Sequence, residues 1–171
     1  MVTLILDGYN VAHAVPEVAR HLDGSLQVAR DTLVRLCQAY QARRGDIGKI
    51  YVVFDGRDAE IFGSREQTQG GVTVLFSQKP EEADQRILRV IEAAKGPGRC
   101  VVVSNDNEVS NNARAFGASV LSVQQFYEQA RQGPARHLGH PTSPGKADLP
   151  AGTARQITED YRKHLERKRR V

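Results

Sequence analysis

Short, continuous apolar runs recur along the chain at residues 3–6, 50–54, 99–104 and 118–121. They do not alternate with polar positions, which is the pattern of strands covered on both faces of a parallel sheet. Residues 72–76, behind the Gly70-Gly71 pair, form a fifth candidate. Helical spacing fills the gaps. Leu26, Ala29, Leu33, Leu36, Cys37 and Tyr40 make one stripe, with Ser25 placed to cap it. A second helix is expected to begin at Pro80, with Glu81 and Glu82 in its first turn and Ile87, Leu88, Ile91 and Ala94 as its buried stripe. Lys95-Gly96-Pro97-Gly98 would end it. Two shorter helices are expected at about 106–116 and 122–131.

The resulting order, β-α-β-loop-β-α-β-α-β-α, predicts an α/β domain with a mainly parallel sheet and right-handed crossovers over residues 1–131. Residues 132–153 hold four glycines and four of the seven prolines and are expected to be a linker. Residues 154–171 form a basic C-terminal tail.

Composition narrows this picture. A chain of 171 residues with 40% apolar and 26% charged positions can bury a core without staples. Disulfide scaffolds, coiled coils and disordered chains are poor fits. The net charge of +4 is unevenly spread. Residues 155–171 carry seven basic and three acidic groups, so the rest of the chain is neutral, with 17 of each sign. A local positive cluster favours phosphate-rich partners, although a solvated tail would have the same composition. Cys37 and Cys100 lie in apolar runs without a C-x-x-C, as expected of reduced core residues in a cytoplasmic protein. No run reaches the ~18 residues of a membrane span. The first residues lack the basic n-region of a signal peptide, and no membrane partner is expected.

Ligands of open parallel sheets bind at the carboxyl ends of the strands. Three of the predicted strands deliver carboxylates there, through Asp7-Gly8-Tyr9-Asn10, Asp55-Gly56-Arg57-Asp58 and Asn105-Asp106-Asn107-Glu108. A single Asp after a strand is usually a turn former or helix cap. Asp84 adds a different signal. It precedes Ile87, Leu88 and Ile91 by three, four and seven positions, which puts it on the sheet-facing stripe of its helix. An ionised group there needs a partner, either a cation or an arginine such as Arg57 or Arg86. Asp7, Asp84 and Asp106 are therefore expected to converge as an oxygen-only site, with Asp55 and Glu108 behind them. Such donors suit Mg²⁺ or Mn²⁺ better than zinc. The chemistry that follows is phosphodiester hydrolysis, with Asn10 near a phosphate or metal-bound water. Dinucleotide and P-loop glycine motifs are missing. So are the second Asp of haloacid-dehalogenase phosphatases and the late Lys of receiver domains. His137 and His140 sit in the Gly/Pro segment without a third ligand and are read as incidental.

These motifs resemble the NYN branch of the PIN-like nuclease superfamily, and within it the bacterial YacP-like group. The resemblance rests on Leu4-Ile5-Leu6-Asp7-Gly8-Tyr9-Asn10, Val52-Val53-Phe54-Asp55-Gly56, Glu82-Ala83-Asp84 and Val102-Val103-Ser104-Asn105-Asp106-Asn107-Glu108, over about residues 3–127. It implies a PIN-like three-layer sandwich and Mg²⁺- or Mn²⁺-dependent cleavage of RNA, with ribosome-associated mRNA as one substrate of the group. It assigns metal binding to Asp7, Asp84 and Asp106. Asn10, Asp55, Ser104, Asn105 and Glu108 would support them. Glu108 stands where many PIN-like proteins have Asp. Arg57 and Arg86 beside the cluster, and Arg162, Lys163, Arg167, Lys168, Arg169 and Arg170 in the tail, are the candidate contacts to nucleic acid. The competing readings are a non-catalytic RNA- or ribosome-binding module on the same fold, and an enzyme acting on nucleic-acid ends.

Overall fold

A computed structural model describes residues 1–56, 66–77, 82–94 and 96–132. By its internal contacts the chain divides into Met1–Ala135 and Arg136–Val171, and the described residues belong to the first unit. Its sheet contains β1 (Val2–Asp7), β2 (Ile47–Phe54), β3 (Glu66–Gln69), β4 (Val72–Phe76), β5 (Cys100–Val103) and β6 (Ser119–Leu121). The strand order is β3-β4-β2-β1-β5-β6. All neighbours are parallel except β3 and β4, which form a hairpin. That turn runs through Gly70 and Gly71, both at positive φ, as a tight two-residue hairpin loop demands. The helices are α1 (Gly8–Ala14), α2 (Pro16–Leu22), α3 (Leu26–Arg43), α4 (Ala83–Ala93), α5 (Asn107–Ala115) and α6 (Val123–Arg131).

Strand alternation sorts the apolar side chains into two layers. Leu4, Leu6, Ile50, Val52, Phe54, Val74 and Phe76 share one core with Val11, Val18, Leu33, Cys37 and Phe126 of α1, α2, α3 and α6. Ile5, Val53, Leu75 and Val102 are buried on the opposite face, where α4 packs on β1 and β2 and also meets α5. The helix α4 contributes Ile87, Leu88 and Ile91 there, and α5 contributes Val109 and Ala113. The expected mainly parallel three-layer α/β arrangement is therefore present. Each fully buried Leu or Ile contributes about 1.5–3 kcal/mol, enough to hold the strand ends firmly. Both cysteines are buried and free. Among the described residues no helix is long and apolar enough to cross a membrane.

Several boundaries differ from the sequence pattern. The helix expected to start at Pro80 begins at Ala83, with Glu82 flanking it and making no side-chain cap. Pro80, Glu81 and Lys95 lie outside the described residues. Arg99 belongs to a short 3₁₀ turn, Pro97–Arg99, rather than to β5. The strand β2 starts earlier than expected, at Ile47. Three elements lack a counterpart in the pattern. The helices α1 and α2 have seven residues each, too few to express a 3.6 period, and Pro16 separates them by starting the second. The strand β3, Glu66-Gln67-Thr68-Gln69, is an edge strand with mostly exposed side chains, so it carries no apolar run.

Candidate functional site

Strand register brings the site together. Leu6 lies opposite Val103, so Asp7 and Ser104, the next residues on each strand, emerge side by side. Gly8 then lets α1 start at once. A Cβ at that position would stand 2.7 Å from the Val53 carbonyl oxygen and 2.7 Å from the Phe54 ring. Asp7 thereby becomes the cap of α1, with its Oδ1 accepting the Asn10 N–H at 3.2 Å. Its Oδ2 accepts the Ser104 hydroxyl at 3.1 Å. Ser104 is buried, and its Oγ also accepts the Asp106 N–H at 3.0 Å. Asp106 caps α5, taking the N–H groups of Glu108 at 2.7 Å and Val109 at 3.1 Å on Oδ1. Asn105 closes the web. Its N–H donates to Asn10 Oδ1 at 2.7 Å, while its own Oδ1 accepts the Val123 N–H at 3.0 Å.

Asp84 approaches from α4. It is half-buried in the first turn and shares the face of Ile87, Leu88 and Ile91, as its offsets predicted. Its carboxyl pKa is pushed up to about 6. Burial is the main cause, followed by the charges of Asp7, Asp106, Glu108 and Glu82. The Asp7 carboxyl is raised as well, chiefly by burial and further by Asp106, against the lowering effect of its bonds to Asn10 and Ser104. The carboxylates thus sense one another although they come from three segments of the chain. Among the described residues no arginine pairs with Asp84. Arg86 lies on the same helix, and its Nε is buried without a hydrogen-bond partner among the described residues.

Other expected site residues stand differently. Asp55 sits at the carboxyl end of β2, where the following Gly56 N–H is held by the buried Ser77 hydroxyl at 2.9 Å. Its charge is not among those acting on Asp7 or Asp84. Glu108 is exposed in the first turn of α5. Arg57, Asp58, His137, His140 and the tail residues Arg162, Lys163, Arg167, Lys168, Arg169 and Arg170 lie outside the described residues.

Among the described residues, no three His, Cys, Asp or Glu side chains form a preformed ligand set. The donor chemistry nevertheless fits a hard divalent cation. The donors are all oxygen, Asp84 has no hydrogen-bonding partner among the described residues, and mutual repulsion would be relieved by positive charge.

An open cleft of about 570 Å³ adjoins Asp7 and is lined also by Tyr9, Asn10, His13, Ala14 and Asn105. His13 was not singled out by sequence reasoning. The signal was its i, i+4 spacing from Tyr9, readable only once residues 8–14 are known to be helical.

A family model described as the YacP-like NYN domain matches residues 4–170. The match runs well past the motifs, which end near residue 127, and takes in the Gly/Pro-rich and basic segments that the motif resemblance left outside. The uncharacterized protein YacP of Bacillus subtilis (strain 168) is 33% identical over 90 residues, covering 53% of this chain and 51% of YacP. The chain thus aligns with about half the length of that relative. A crystal structure of Rae1 (YacP) from Bacillus subtilis, in a mutant form, superposes with a TM-score of 0.64 at 27% identity, covering 76% of this chain and 75% of that one. A second Rae1 (YacP) structure gives 0.59 at 24% identity, covering 98% and 84%, and supports the fold alone.

Proposed function

The chain belongs to the YacP-like NYN domain family of the PIN-like nuclease superfamily, and on that premise we propose that it is a Mg²⁺- or Mn²⁺-dependent endoribonuclease of single-stranded RNA. The observation that carries this reading is the half-buried carboxyl of Asp84, unpaired among the described residues, whose pKa is raised by burial and by the charges of Asp7 and Asp106 at the carboxyl edge of the sheet. Asp7, Asp84 and Asp106 would hold the cation, with Glu108 close enough for its charge to act on Asp84 and Asp55 in a supporting role from the end of β2. A bound divalent cation supplies charge neutralisation at the phosphodiester and a water of lowered pKa. The chain's own residues do the rest. The Ser104 hydroxyl keeps one Asp7 oxygen in place, and the Asn10 N–H keeps the other. Asn10 and Asn105 each use their side-chain oxygen on a backbone N–H, so their NH₂ groups remain as donors for phosphate oxygens. Asp84 must lose its proton to serve, and a bound cation would favour that loss.

Ribosome-bound mRNA is the substrate that the family resemblance favours. The tail's Arg162, Lys163, Arg167, Lys168, Arg169 and Arg170 would supply attraction to it, because residues 1–154 carry no net charge. Arg57 and Arg86 are proposed to counter the phosphate charge closer to the cluster.

The test is cleavage of RNA oligonucleotides, with and without ribosomes, in Mn²⁺ and in EDTA. Asp84→Ala should lose about 100- to 1000-fold in rate, the scale of several kcal/mol of metal-borne stabilisation. Equal activity in the variant would overturn the site. Wild-type protein that binds RNA without cutting it would favour the binding module. In a second arm, replacing Arg167, Lys168, Arg169 and Arg170 by Gln should lower the slope of log affinity against log salt by up to about 3, at ~0.7 for each phosphate no longer neutralised.

A further inference from the structure

The cleft beside Asp7 contains more than the carboxylate site requires. Tyr9 and His13, one turn apart on α1, hold their rings roughly parallel, with centroids 6.3 Å apart and planes at 30°. Tyr9 does not float. Its ring meets Phe54 edge-on at 5.4 Å, and Phe54 in turn stacks on Phe76 at 5.9 Å. Phe54 and Phe76 are both buried. A line of four rings therefore runs from the core of the sheet to the mouth of the cleft, ending on the exposed His13. The two NH₂ groups of Asn10 and Asn105 belong to the same cleft. Their orientation is set by the backbone N–H that each side-chain oxygen accepts.

We propose that the Tyr9–His13 pair is a stacking shelf for one nucleobase of the RNA strand, next to the phosphate that lies over Asp7. This rests on the nuclease reading above and adds how the substrate is held. Three features support it. Aromatic faces and amide donors line one cleft, the combination that grips a base and its phosphate together. His13 stands six residues beyond Asp7 along α1, about 9 Å at helical rise, a separation that one nucleotide can bridge between its phosphate and its base. Stacking is indifferent to base identity, which suits a site where amide NH₂ donors face acceptors that every nucleotide carries. The chain has no tryptophan and only 6% aromatic residues, so a half-buried Tyr9 carrying an exposed His13 ring beside Asp7 is not a matter of abundance.

His13 is the position to test, because it is exposed and its loss leaves the core intact. In steady-state cleavage of a single-stranded oligoribonucleotide with Mn²⁺, His13→Ala should raise KM about tenfold and leave kcat within about twofold. His13→Phe should restore most of the loss. A merely structural role for His13 would not be rescued by a larger apolar ring. The binding arm needs no cleavage. An oligoribonucleotide carrying 2-aminopurine, added to Asp84→Asn protein in EDTA, should be quenched on binding, and the Asp84→Asn, His13→Ala double variant should lose that quenching. An unchanged KM, a Phe variant as poor as Ala, or quenching that is absent or indifferent to His13 would each overturn the shelf. If no RNA is cut by wild type while quenching still depends on His13, the nuclease reading falls and the shelf stands.

Discussion

At the carboxyl edge of the sheet, Asp7 and Asp106 are tied into a web of hydrogen bonds, whereas Asp84 on α4 has none among the described residues. The web joins the ends of β1 and β5 to the starts of α1, α5 and α6 through Ser104, Asn105 and Asn10. Its bonds are mostly to backbone N–H groups, so the carboxylates there double as helix caps. Asp84 rests on an apolar stripe and, among the described residues, meets only like charge. One side is built for position, the other stores electrostatic strain that a cation would relieve. Substitutions on the two sides should therefore change stability in opposite directions.

The largest effect is expected at Gly8. An added Cβ meets a backbone carbonyl, which cannot swing aside as a side chain could. Gly8→Ala should destabilise the fold by about 2–3 kcal/mol, in the range of overpacked cores. It should also cut RNA cleavage, because Asp7 precedes the displaced residue. Denaturant titration of the purified protein checks the first point. A variant of wild-type stability would mean that the start of α1 is looser than its close packing implies.

Ser104→Ala should follow, at about 2 kcal/mol. It leaves the Asp106 N–H and one Asp7 oxygen without their partner in a largely buried place. The Asp7 carboxyl should rise further, since the Ser104 bond is one of two that lower it. Chemical denaturation and an NMR titration of Asp7 test the pair of claims. A neutral stability change would show that water replaces the hydroxyl.

How much of this was legible beforehand depended on the length of the signal. The buried strands 50–54 and 72–76, and the long α3 with its Ser25 cap, announce themselves by unbroken apolar runs and sustained periodicity. Asp84 was legible because three apolar partners fix its face. The helices α1 and α2 were not, since seven residues hold barely two turns. With α1 went His13, whose proximity to Tyr9 exists only in a helix. The polar β3 was hidden because an exposed edge strand obeys no apolar pattern. Ser104 was recognisable as a neighbour of the cluster, but its double role as donor to Asp7 and acceptor from Asp106 depends on strand register, which the sequence does not print.

The smallest predicted effect also has the opposite sign. The carboxyl of Asp84 titrates at about 6 in the folded chain, against the usual 3.8. The folded state therefore holds this proton more tightly than the unfolded state does. Its contribution is complete below about pH 4 and is lost as pH rises through 6, so at neutral pH the ionised group works against folding. Asp84→Asn should remove that cost and stabilise the cation-free protein at pH 7.5 by about 1 kcal/mol, a modest figure because the half-exposed group is screened by solvent. Thermal melts in EDTA from pH 4 to pH 8 read this directly. Wild type should lose stability relative to Asp84→Asn as pH rises from about 4, with the gap largely open by pH 6 and level above it. Adding Mn²⁺ should close the gap for wild type and leave the variant much less affected. Parallel pH profiles in EDTA would mean that Asp84 is not strained, and the contrast between the two sides of the cluster would fail.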